Sequence, residues 1–415
     1  MTVLVAGGGI AGLSLALTCH EIGIEVKVFE AVDKLKPLGV GINLQPNAVK
    51  ELYQLGLESD LRELGIEAEE WALFFYGAYP VWTETRGTRA GYNWPQFSIH
   101  RGQFHVRLLE RVRERLGEAS VVTNAKITRY ETYSDHVVAH FIDANGRVFS
   151  EEGSLLIGAD GIHSAVRQQM YPDQSEPNWN GAIMWRGVSR AKPPRTKNSF
   201  AMVGGIKQRF ICYPIEPLDE NGETVLNWIA ELRPEDVDEV DRSDWNRKAN
   251  AAAFMDEFRD WVFEWIDVPE IVERSADIWE YPMVDRDPVD AWVDGRVALI
   301  GDAAHAMFPH GSGGASQAIV DTRVLGACLM TDGVTENALE SYQARLLKPV
   351  NELVMRNRLE GPIGVLLDIE DRIAGGQSVE QAIDVDEVAS FMAKYKEAAG
   401  TARDALNASA RIVNI

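Results

Sequence analysis

Three glycines near the amino terminus and one carboxylate further along could hold the diphosphate and ribose of a dinucleotide. Gly7, Gly9 and Gly12 follow a short apolar run, and Glu30 comes 18 residues after the last glycine. Such glycines allow a tight turn, close approach of a pyrophosphate and close packing of helix on strand, while the carboxylate can accept both ribose hydroxyls. The following helix would point free N–H groups at the phosphates. NAD and FAD are both bound in this way, and a tight turn without a ligand is the alternative.

A second glycine turn follows an apolar run in the segment LLIGADGIHSAVR, residues 155–167. Asp160 lies in the turn, and Ser164 and Arg167 stand where a helix is predicted to begin. The pattern is unusual enough to favour a functional turn. The alternative is a plain turn in which Asp160 and Ser164 cap the helix.

A third turn lies in LIGDAAHAMFPHGSGGASQ, residues 299–317. Asp302 stands at the end of a predicted strand, where its carboxylate can accept hydrogen bonds from a polyol chain. Pro309, Gly311 and Gly314 then lead into a predicted helix. The free N–H groups of that helix could face a flat heteroaromatic carbonyl, or the negative charge that develops on it.

Histidines beside these turns are the candidate acid–base groups. His310 lies between Pro309 and Gly311, and it could bind substrate or relay a proton because the pKa of histidine is near the working pH. Pro309 and His310 are therefore the candidate catalytic residues. His305 and His163 are interpreted as structural residues of their turns.

The elements that must hold the turns alternate at first between strand and helix. Residues 2–6 and 25–31 have the continuous apolar character of buried strands, and residues 10–22 between them have helical periodicity. These three segments predict a βαβ unit. Helices are also predicted over residues 46–57 and 101–117.

The middle and the end of the chain have a different texture. Residues 71–98 and 181–232 contain short runs rich in Trp, Tyr, Phe and Val, which predict antiparallel strands. An acid-rich connection is predicted over residues 231–247 and an apolar amphipathic helix over residues 251–266. The tail after residue 335 is predicted to be mostly helical. Together the patterns predict a nucleotide-binding domain in several pieces, interrupted by a β-rich domain.

Composition limits the partners and the compartment. A chain of 415 residues is long enough for two or three domains, and its formal net charge of −22 disfavours nucleic acid and anionic membranes as partners. The widely spaced Cys19, Cys212 and Cys328 are typical of a reducing compartment, and no metal site is predicted. No apolar run is long enough for a transmembrane helix, so a cytoplasmic protein is expected.

The three turn motifs, in this order and spacing, resemble the single-component (group A) FAD-dependent aromatic hydroxylases, the p-hydroxybenzoate hydroxylase family. The resemblance covers residues 1–360. Specific blocks are similar to the phenazine hydroxylases of that family, and they cover residues 37–49, 98–102, 184–188, 281–288 and 314–321. Ser316 stands where the wider family often has Asn, and the phenazine-type enzymes share the Ser.

The resemblance implies an α/β fold (α+β overall) in three parts. They are a discontinuous Rossmann-like FAD-binding domain (1–70, 98–175 and 280–335), an inserted antiparallel β-sheet substrate domain (71–97 and 176–279) and a C-terminal helical region (336–415). It also implies non-covalent FAD, which the first glycine motif would hold at its ADP half and the third at its flavin ring. The residues assigned to FAD are Gly7, Gly9, Gly12, Glu30, Arg101, Asp160, Arg167, Asp302, Gly311, Gly313 and Gly314, with Pro309 also beside the flavin ring.

The reaction that the resemblance implies is hydroxylation of an aromatic or N-heteroaromatic substrate with NADH or NADPH and O2, through a flavin hydroperoxide. No second G-x-G-x-x-G motif follows, as in this family, where NAD(P)H binds transiently. A dry pocket for a flat substrate is expected from the apolar side chains Trp185, Met202, Tyr213, Trp228, Met307 and Phe308. The alternatives are a flavin oxidase or dehydrogenase without oxygen insertion and a non-catalytic flavoprotein. A monomer and a homodimer are both compatible with the sequence.

Overall fold

The computed structural model describes residues 1–37, 40–233 and 247–414, so most of the acid-rich connection predicted over 231–247 lies outside the described residues. The strands are β1 (Thr2–Ala6), β2 (Glu25–Phe29), β3 (Gly41–Leu44), β4 (Gly65–Glu67), β5 (Glu70–Phe75), β6 (Tyr79–Thr85), β7 (Phe97–His100), β8 (Val121–Val122), β9 (Lys126–Thr132), β10 (Val137–Ile142), β11 (Val148–Gly153), β12 (Leu155–Gly158), β13 (Asn178–Ala191), β14 (Ser199–Gly204), β15 (Gln208–Pro214), β16 (Thr224–Leu232), β17 (Arg247–Ala249), β18 (Val262–Phe263), β19 (Ile266–Asp267), β20 (Ser275–Asp285), β21 (Val293–Asp294) and β22 (Val297–Leu299).

The helices are α1 (Ile10–Glu21), α2 (Pro46–Gln54), α3 (Glu58–Leu64), α4 (Arg101–Leu116), α5 (Ala165–Met170), α6 (Met255–Phe258), α7 (Val268–Glu273), α8 (Asp302–His305), α9 (Gly314–Asp332), α10 (Glu336–Arg358), α11 (Val365–Ala374), α12 (Val379–Ala382), α13 (Val385–Ala398) and α14 (Arg403–Ala408). The predicted βαβ unit, the helix over 101–117 and the helical tail are confirmed. No helix of the described residues combines the length and the apolarity that a membrane crossing requires.

A six-stranded sheet holds the first, second and third turn motifs on one edge. Its strand order is β21-β22-β12-β1-β2-β8, and every neighbouring pair except β21–β22 is parallel. The strands β1, β12 and β22 are adjacent and buried, as their continuous apolar runs predict. Because parallel strands end at the same edge of a sheet, the three glycine turns that follow them lie side by side.

An eight-stranded sheet forms the second layer. Its order is β17-β20-β13-β16-β15-β14-β5-β6, and the pairs are antiparallel except for β14–β5. The sheet includes β20, which continues to Asp285, past the domain boundary predicted at residue 279. One face of the sheet packs on α6 and α7 in an aromatic core. The opposite face of this sheet forms one wall of a cavity.

The predicted amphipathic helix over 251–266 is wrong. The segment forms a single 3₁₀ turn, the short helix α6 and then the two-stranded sheet of β18 and β19. Phe254 and Phe258 are buried in the aromatic core, where Phe254 stacks on Trp185 at 4.8 Å between ring centroids and Phe258 lies against Phe210 at 6.3 Å. Burial of these rings against the sheet outweighs the local preference for a continuous helix.

Candidate active site

A cavity of about 440 Å³ lies between the three glycine turns and the free face of the eight-stranded sheet. Each of the three turns contributes to the cavity wall, through Gly9, Gly161 and Asp302 respectively. The sheet contributes side chains at alternate positions of its strands, and the C-terminal helix α13 closes another side. The fold therefore brings motifs that are almost 300 residues apart in sequence to one cavity.

Most of the residues predicted for the flavin end of FAD line this cavity. The predicted cofactor and catalytic residues in its wall are Gly9, Arg101, Asp302, Pro309, His310, Gly311, Gly313 and Gly314. Met202, Tyr213 and Met307 of the predicted substrate pocket are there as well. A side chain at Gly9 or Gly314 would meet no other atom within 4 Å, so their backbone is open to a ligand.

Gly7, Gly12 and Glu30 lie behind the cavity and shape the first turn. A Cβ atom at Gly7, whose φ is +108°, would lie 2.2 Å from the Ala159 carbonyl oxygen, and one at Gly12 would lie 2.0 Å from the Gly7 oxygen. Glu30 accepts backbone N–H groups from Gly8 at 2.7 Å and from Val32 at 3.0 Å. These contacts hold the turn close to the neighbouring strand, and a ribose contact of Glu30 stays a prediction.

Asp160 and Arg167 do not line the cavity, and the structure shows both of them in structural contacts. The Asp160 carboxylate accepts the Ser164 hydroxyl and the Ala165 N–H at 2.7 Å, so it caps α5. The buried Arg167 donates to the carbonyl oxygens of Ala303 at 2.9 Å and of Ala304 at 2.7 Å. Burial lowers the pKa of Arg167 to about 10, although the group remains cationic at neutral pH. Arg167 thus ties the second turn to the third.

Trp185, Trp228 and Phe308 do not line the cavity, so this part of the predicted pocket is wrong. Side chains of successive strand residues point to opposite faces of a sheet. Met184 on β13 and Ile229 on β16 face the cavity, which places their neighbours Trp185 and Trp228 in the aromatic core behind the sheet. Phe308 packs into a small buried cluster beside the cavity.

The loop from Pro309 to Gly314 is held from outside by the C-terminal helix α13. A Cβ atom at Gly311 would lie 1.7 Å from the hydroxyl oxygen of Tyr395, so only glycine fits there. The Tyr395 hydroxyl also donates to the Asn357 side-chain oxygen at 2.9 Å. At the end of the loop, the Ser316 hydroxyl accepts the Gln45 N–H at 2.9 Å and fixes the turn before α2.

His310 has both ring nitrogens engaged. Its Nε2 lies 3.0 Å from Arg209 Nη2, and its Nδ1 lies 2.9 Å from the Asn357 carbonyl oxygen. An arginine can only donate and a carbonyl can only accept, so Nε2 is the acceptor and Nδ1 carries the proton. Burial and the Arg209 charge lower the pKa of His310, so it is neutral at physiological pH. Glu360 Oε2 lies 3.5 Å from His310 Nε2, so Arg209 at 3.0 Å is the nearer partner of that nitrogen.

Arg209 is the centre of a buried ionic cluster that sequence reasoning missed. Its guanidinium forms a two-point contact with the Glu231 carboxylate, with Nε to Oε2 at 2.8 Å, and it reaches Glu360 Oε2 at 3.3 Å. Glu360 also accepts from Arg233. The cluster is electrically balanced and connects β15, β16, the loop containing His310 and the end of α10. Strand alternation could have placed Arg209 on the cavity face of β15, because residues two positions apart share a face and Ile211 lines the cavity.

His305 and Asp321 form a second buried polar group, behind the third turn. Neither side chain is exposed, and His305 Nε2 lies 2.6 Å from Asp321 Oδ2. Burial alone would lower the pKa of His305, but Asp321 outweighs it and the pKa is raised. Asp321 Oδ2 also accepts the Gly301 N–H at 2.9 Å, and Oδ1 accepts from Gln317. Asp321 therefore fixes the backbone immediately before Asp302.

Arg186 is a second cavity residue that the sequence left unassigned. It donates to the Gly41 carbonyl oxygen at 3.2 Å, while its buried Nε has no hydrogen-bond partner among the described residues. Burial lowers the pKa of Arg186, and the positively charged Arg101 acts in the same direction. Two guanidinium groups on the same side of the cavity as Gly41 suit the anionic part of a nucleotide.

Residues 1–357 match a family model described as FAD binding domain. The chain is also 38% identical over 361 residues to phenazine 1,6-dicarboxylic acid hydroxylase of Lysobacter antibioticus, covering 86% of this chain and 89% of the relative. The chain belongs to the FAD-dependent aromatic hydroxylases. This hydroxylase is 30% identical to 3-hydroxybenzoate 6-hydroxylase 1 of Aquipseudomonas alcaligenes, covering 82% of this chain and 83% of the relative.

Solved structures agree with the fold of the hydroxylase. The HpxO protein of Klebsiella pneumoniae, complexed with FAD and uric acid, superposes with a TM-score of 0.76 at 23% identity, covering 98% of this chain and 97% of that chain. A salicylate hydroxylase substrate complex superposes with a TM-score of 0.72 at 21% identity, covering 99% of this chain and 98% of that chain. The family and the cofactor implied by the turn motifs are thus confirmed, and the oxidase alternative is not favoured.

Proposed function

We propose that this hydroxylase acts on a flat, multi-ring aromatic or N-heteroaromatic compound, with NADH or NADPH as reductant and O2 as the source of the inserted oxygen. The observation that carries the proposal is the single cavity that joins the third glycine turn to an apolar sheet face. Phe200, Met202, Ile211 and Ile229 supply that face. Flat apolar walls suit aromatic rings, and the similarity to a phenazine 1,6-dicarboxylic acid hydroxylase supports a substrate of this size.

The residues of the cavity fit FAD. Gly9 at the start of α1 and Gly314 at the start of α9 leave open backbone at two helix N-termini, where N–H groups favour negative charge. Asp302 would accept the ribityl hydroxyls, and Arg101 with Arg186 would face the diphosphate side. When bound, FAD would supply the redox chemistry, namely hydride uptake from NAD(P)H and activation of O2.

His310 positions the flavin-side loop rather than transferring a proton. His310 is neutral, and both of its nitrogens are used to attach the flavin-side loop to Arg209 and to Asn357. We therefore assign His310 a positioning role in place of the acid–base role considered from the sequence. Met184, Met202 and Ile363 exclude water from the space beside the loop.

The test measures oxygen insertion directly. Purified holoenzyme is mixed with NADH or NADPH and a panel of benzoic, quinoline and phenazine compounds, and reductant consumption is recorded with product mass under heavy-isotope O2. We expect at least one multi-ring compound to stimulate reductant oxidation and to gain one labelled oxygen. Stimulated oxidation with no label in any product, and only hydrogen peroxide formed, would refute the proposal.

We also propose a cytosolic location. Cys19, Cys212 and Cys328 are all buried free thiols, which is typical of proteins from reducing compartments. Fractionation of the producing cells, followed by immunodetection in the cytosolic fraction, tests this point.

A further inference from the structure

The last part of the described chain forms a strap along one edge of the cavity. Residues 401–414, which include α14, make up the strap, and they lie beyond residue 357, where the family match ends. Ala399, just before the strap, and Thr401, at its start, line the cavity. Side chains of α14 such as Arg403 are exposed. The strap therefore runs from the cavity wall onto the molecular surface, so its displacement would open the wall at this edge.

Few apolar contacts hold the strap. Leu406 and Val413 are the only buried side chains of its described residues, at 8% and 2% exposed. Gly400, which joins the strap to α13, has a φ of +65°, and a Cβ atom there would meet no other atom within 4 Å. Segments with few buried apolar contacts open locally at a lower free energy than the core does. The strap is therefore suited to local opening, with Gly400 as the hinge.

Lys50 on α2 fastens the far end of the strap. Its side chain is buried, and its ammonium group donates to the Ser409 hydroxyl oxygen at 2.5 Å, to the Ser409 carbonyl oxygen at 3.1 Å and to the Ala410 carbonyl oxygen at 2.6 Å. An ammonium group has three donors, so the strap uses all of them. The same group lies 5.3 Å from the centroid of the Trp94 ring. The strap thus offsets the cost of burying this charge only while it is closed.

The loop between β6 and β7, residues 86–96, is the surface against which the strap closes. The Asn407 side-chain nitrogen donates to the Gly91 carbonyl oxygen at 2.8 Å, and the Asn407 side-chain oxygen accepts the Asn93 N–H at 2.9 Å. This two-point contact holds α14 on the loop. Both ends of the loop line the cavity, at Arg86 and Gln96. The strap and the loop therefore close the same edge of the cavity.

We propose that the strap opens about Gly400 to admit substrate and release product, and that Lys50 is the latch that holds it closed. The inference rests on the proposed function in taking this cavity as the site of the aromatic substrate. The other walls are the eight-stranded sheet, the glycine turns and α13, and movement of the strap leaves all of them in place. Lys50 does not line the cavity, so it is a positioning residue that acts through the strap. Closure of the strap excludes water from the bound substrate.

Limited proteolysis tests the latch. Trypsin is added to FAD-loaded wild type, Lys50→Met and Lys50→Arg, and mass spectrometry follows cleavage after the exposed Arg403 and Arg411. Cleavage reports the population of the open form when the strap closes faster than it is cut. Lys50→Met should raise the cleavage rate by about 10-fold to 100-fold, the range for a hydrogen bond to a charged group. Lys50→Arg should restore most of the protection, and Lys192→Met, at an exposed position on the other layer, should leave the rate unchanged.

A reversible cross-link tests whether opening admits the substrate. The FAD-loaded double variant Asn93→Cys/Asn407→Cys is joined by a bis-maleimide reagent whose linker contains a reducible disulfide. The three native cysteines are buried, so only the new thiols should react. Association and dissociation of benzoic, quinoline and phenazine compounds are followed by the change in flavin absorbance. The cross-link should slow both by at least about 10-fold, because binding requires a movement that the linker prevents, and reduction of the linker should restore both.

Controls separate the strap from general effects. Asn93→Cys and Asn407→Cys as single variants, treated with the same reagent, should bind as fast as they do untreated. The inference is overturned if the cross-link leaves both rates within about twofold, if Lys50→Met is cleaved no faster than wild type, or if no compound of the panel binds. Slower, reversible binding without labelled oxygen in any product would support the strap and refute the proposed function. Labelled product formed at an unchanged rate by the cross-linked protein would support the proposed function and overturn the strap.

Discussion

Substitution of Asp321 by Asn isolates the polar group behind the third turn. Asp321 is fully buried, and its carboxylate accepts hydrogen bonds from Gly301 N–H, His305 and Gln317. Asn keeps one acceptor oxygen but turns the other into a donor, so at least one of these donors loses its partner. His305 also loses the negative charge that raises its pKa.

The expected cost of Asp321→Asn follows from burial. Removing one partner of a buried ion pair costs about 3–5 kcal/mol, and the retained oxygen places Asp321→Asn near the lower value. For a folding unit of about 150–250 residues, a loss of about 3 kcal/mol corresponds to a fall in melting temperature of about 6–12 °C. FAD affinity should fall as well, because Gly301 precedes Asp302 in the cavity wall.

The pH dependence gives the sign of the effect. A histidine whose pKa is raised on folding stabilises the protein fully below its unfolded pKa of about 6.5, and the stabilisation is lost as the pH rises through the folded pKa. The melting temperature of wild type should therefore exceed that of Asp321→Asn by the largest margin at pH 6 and by a smaller margin at pH 9. Thermal unfolding at both pH values measures this, with Asp371→Asn on an exposed helical position as the matched control. Equal melting temperatures of Asp321→Asn and Asp371→Asn at pH 6 would refute the reasoning.

Three further results are expected. His310→Gln should leave the shape of the pH profile of kcat/KM unchanged between pH 6 and 8, because burial and Arg209 lower the pKa of His310; loss of an ionisation there would contradict its positioning role. Gly311→Ala should lower the free energy of unfolding by about 1–3 kcal/mol, because its Cβ would overlap the Tyr395 hydroxyl, and the melting temperature should fall. An unchanged melting temperature would contradict the tight packing of α13 on this loop. Native protein should not react with a thiol reagent at pH 7, because burial raises the pKa of Cys19 to about 12 and also raises that of Cys212; rapid labelling would contradict the packing.

Local patterns predicted the segments whose neighbours in sequence are also their neighbours in space. The run from Thr2 to Ala6, the helix after Gly9 and the strand over Glu25–Phe29 form one βαβ unit, so glycine spacing and apolar periodicity were sufficient. The same logic failed over residues 251–266. There the rings of Phe254 and Phe258 are buried against a sheet whose strands come from elsewhere in the chain.

The sequence by itself determined the family and the cofactor, and it predicted that distant glycine turns share one FAD site, because each turn carries its chemistry in residues close together. Only the tertiary structure decided which side chains face the cavity. Strand pairing turned Trp185 and Trp228 away from the cavity and brought Arg209 to His310. Folding of the C-terminal helices placed Lys396 beside Glu84, 312 positions earlier in the chain. Such contacts depend on the faces and register of packed elements, which no local pattern contains.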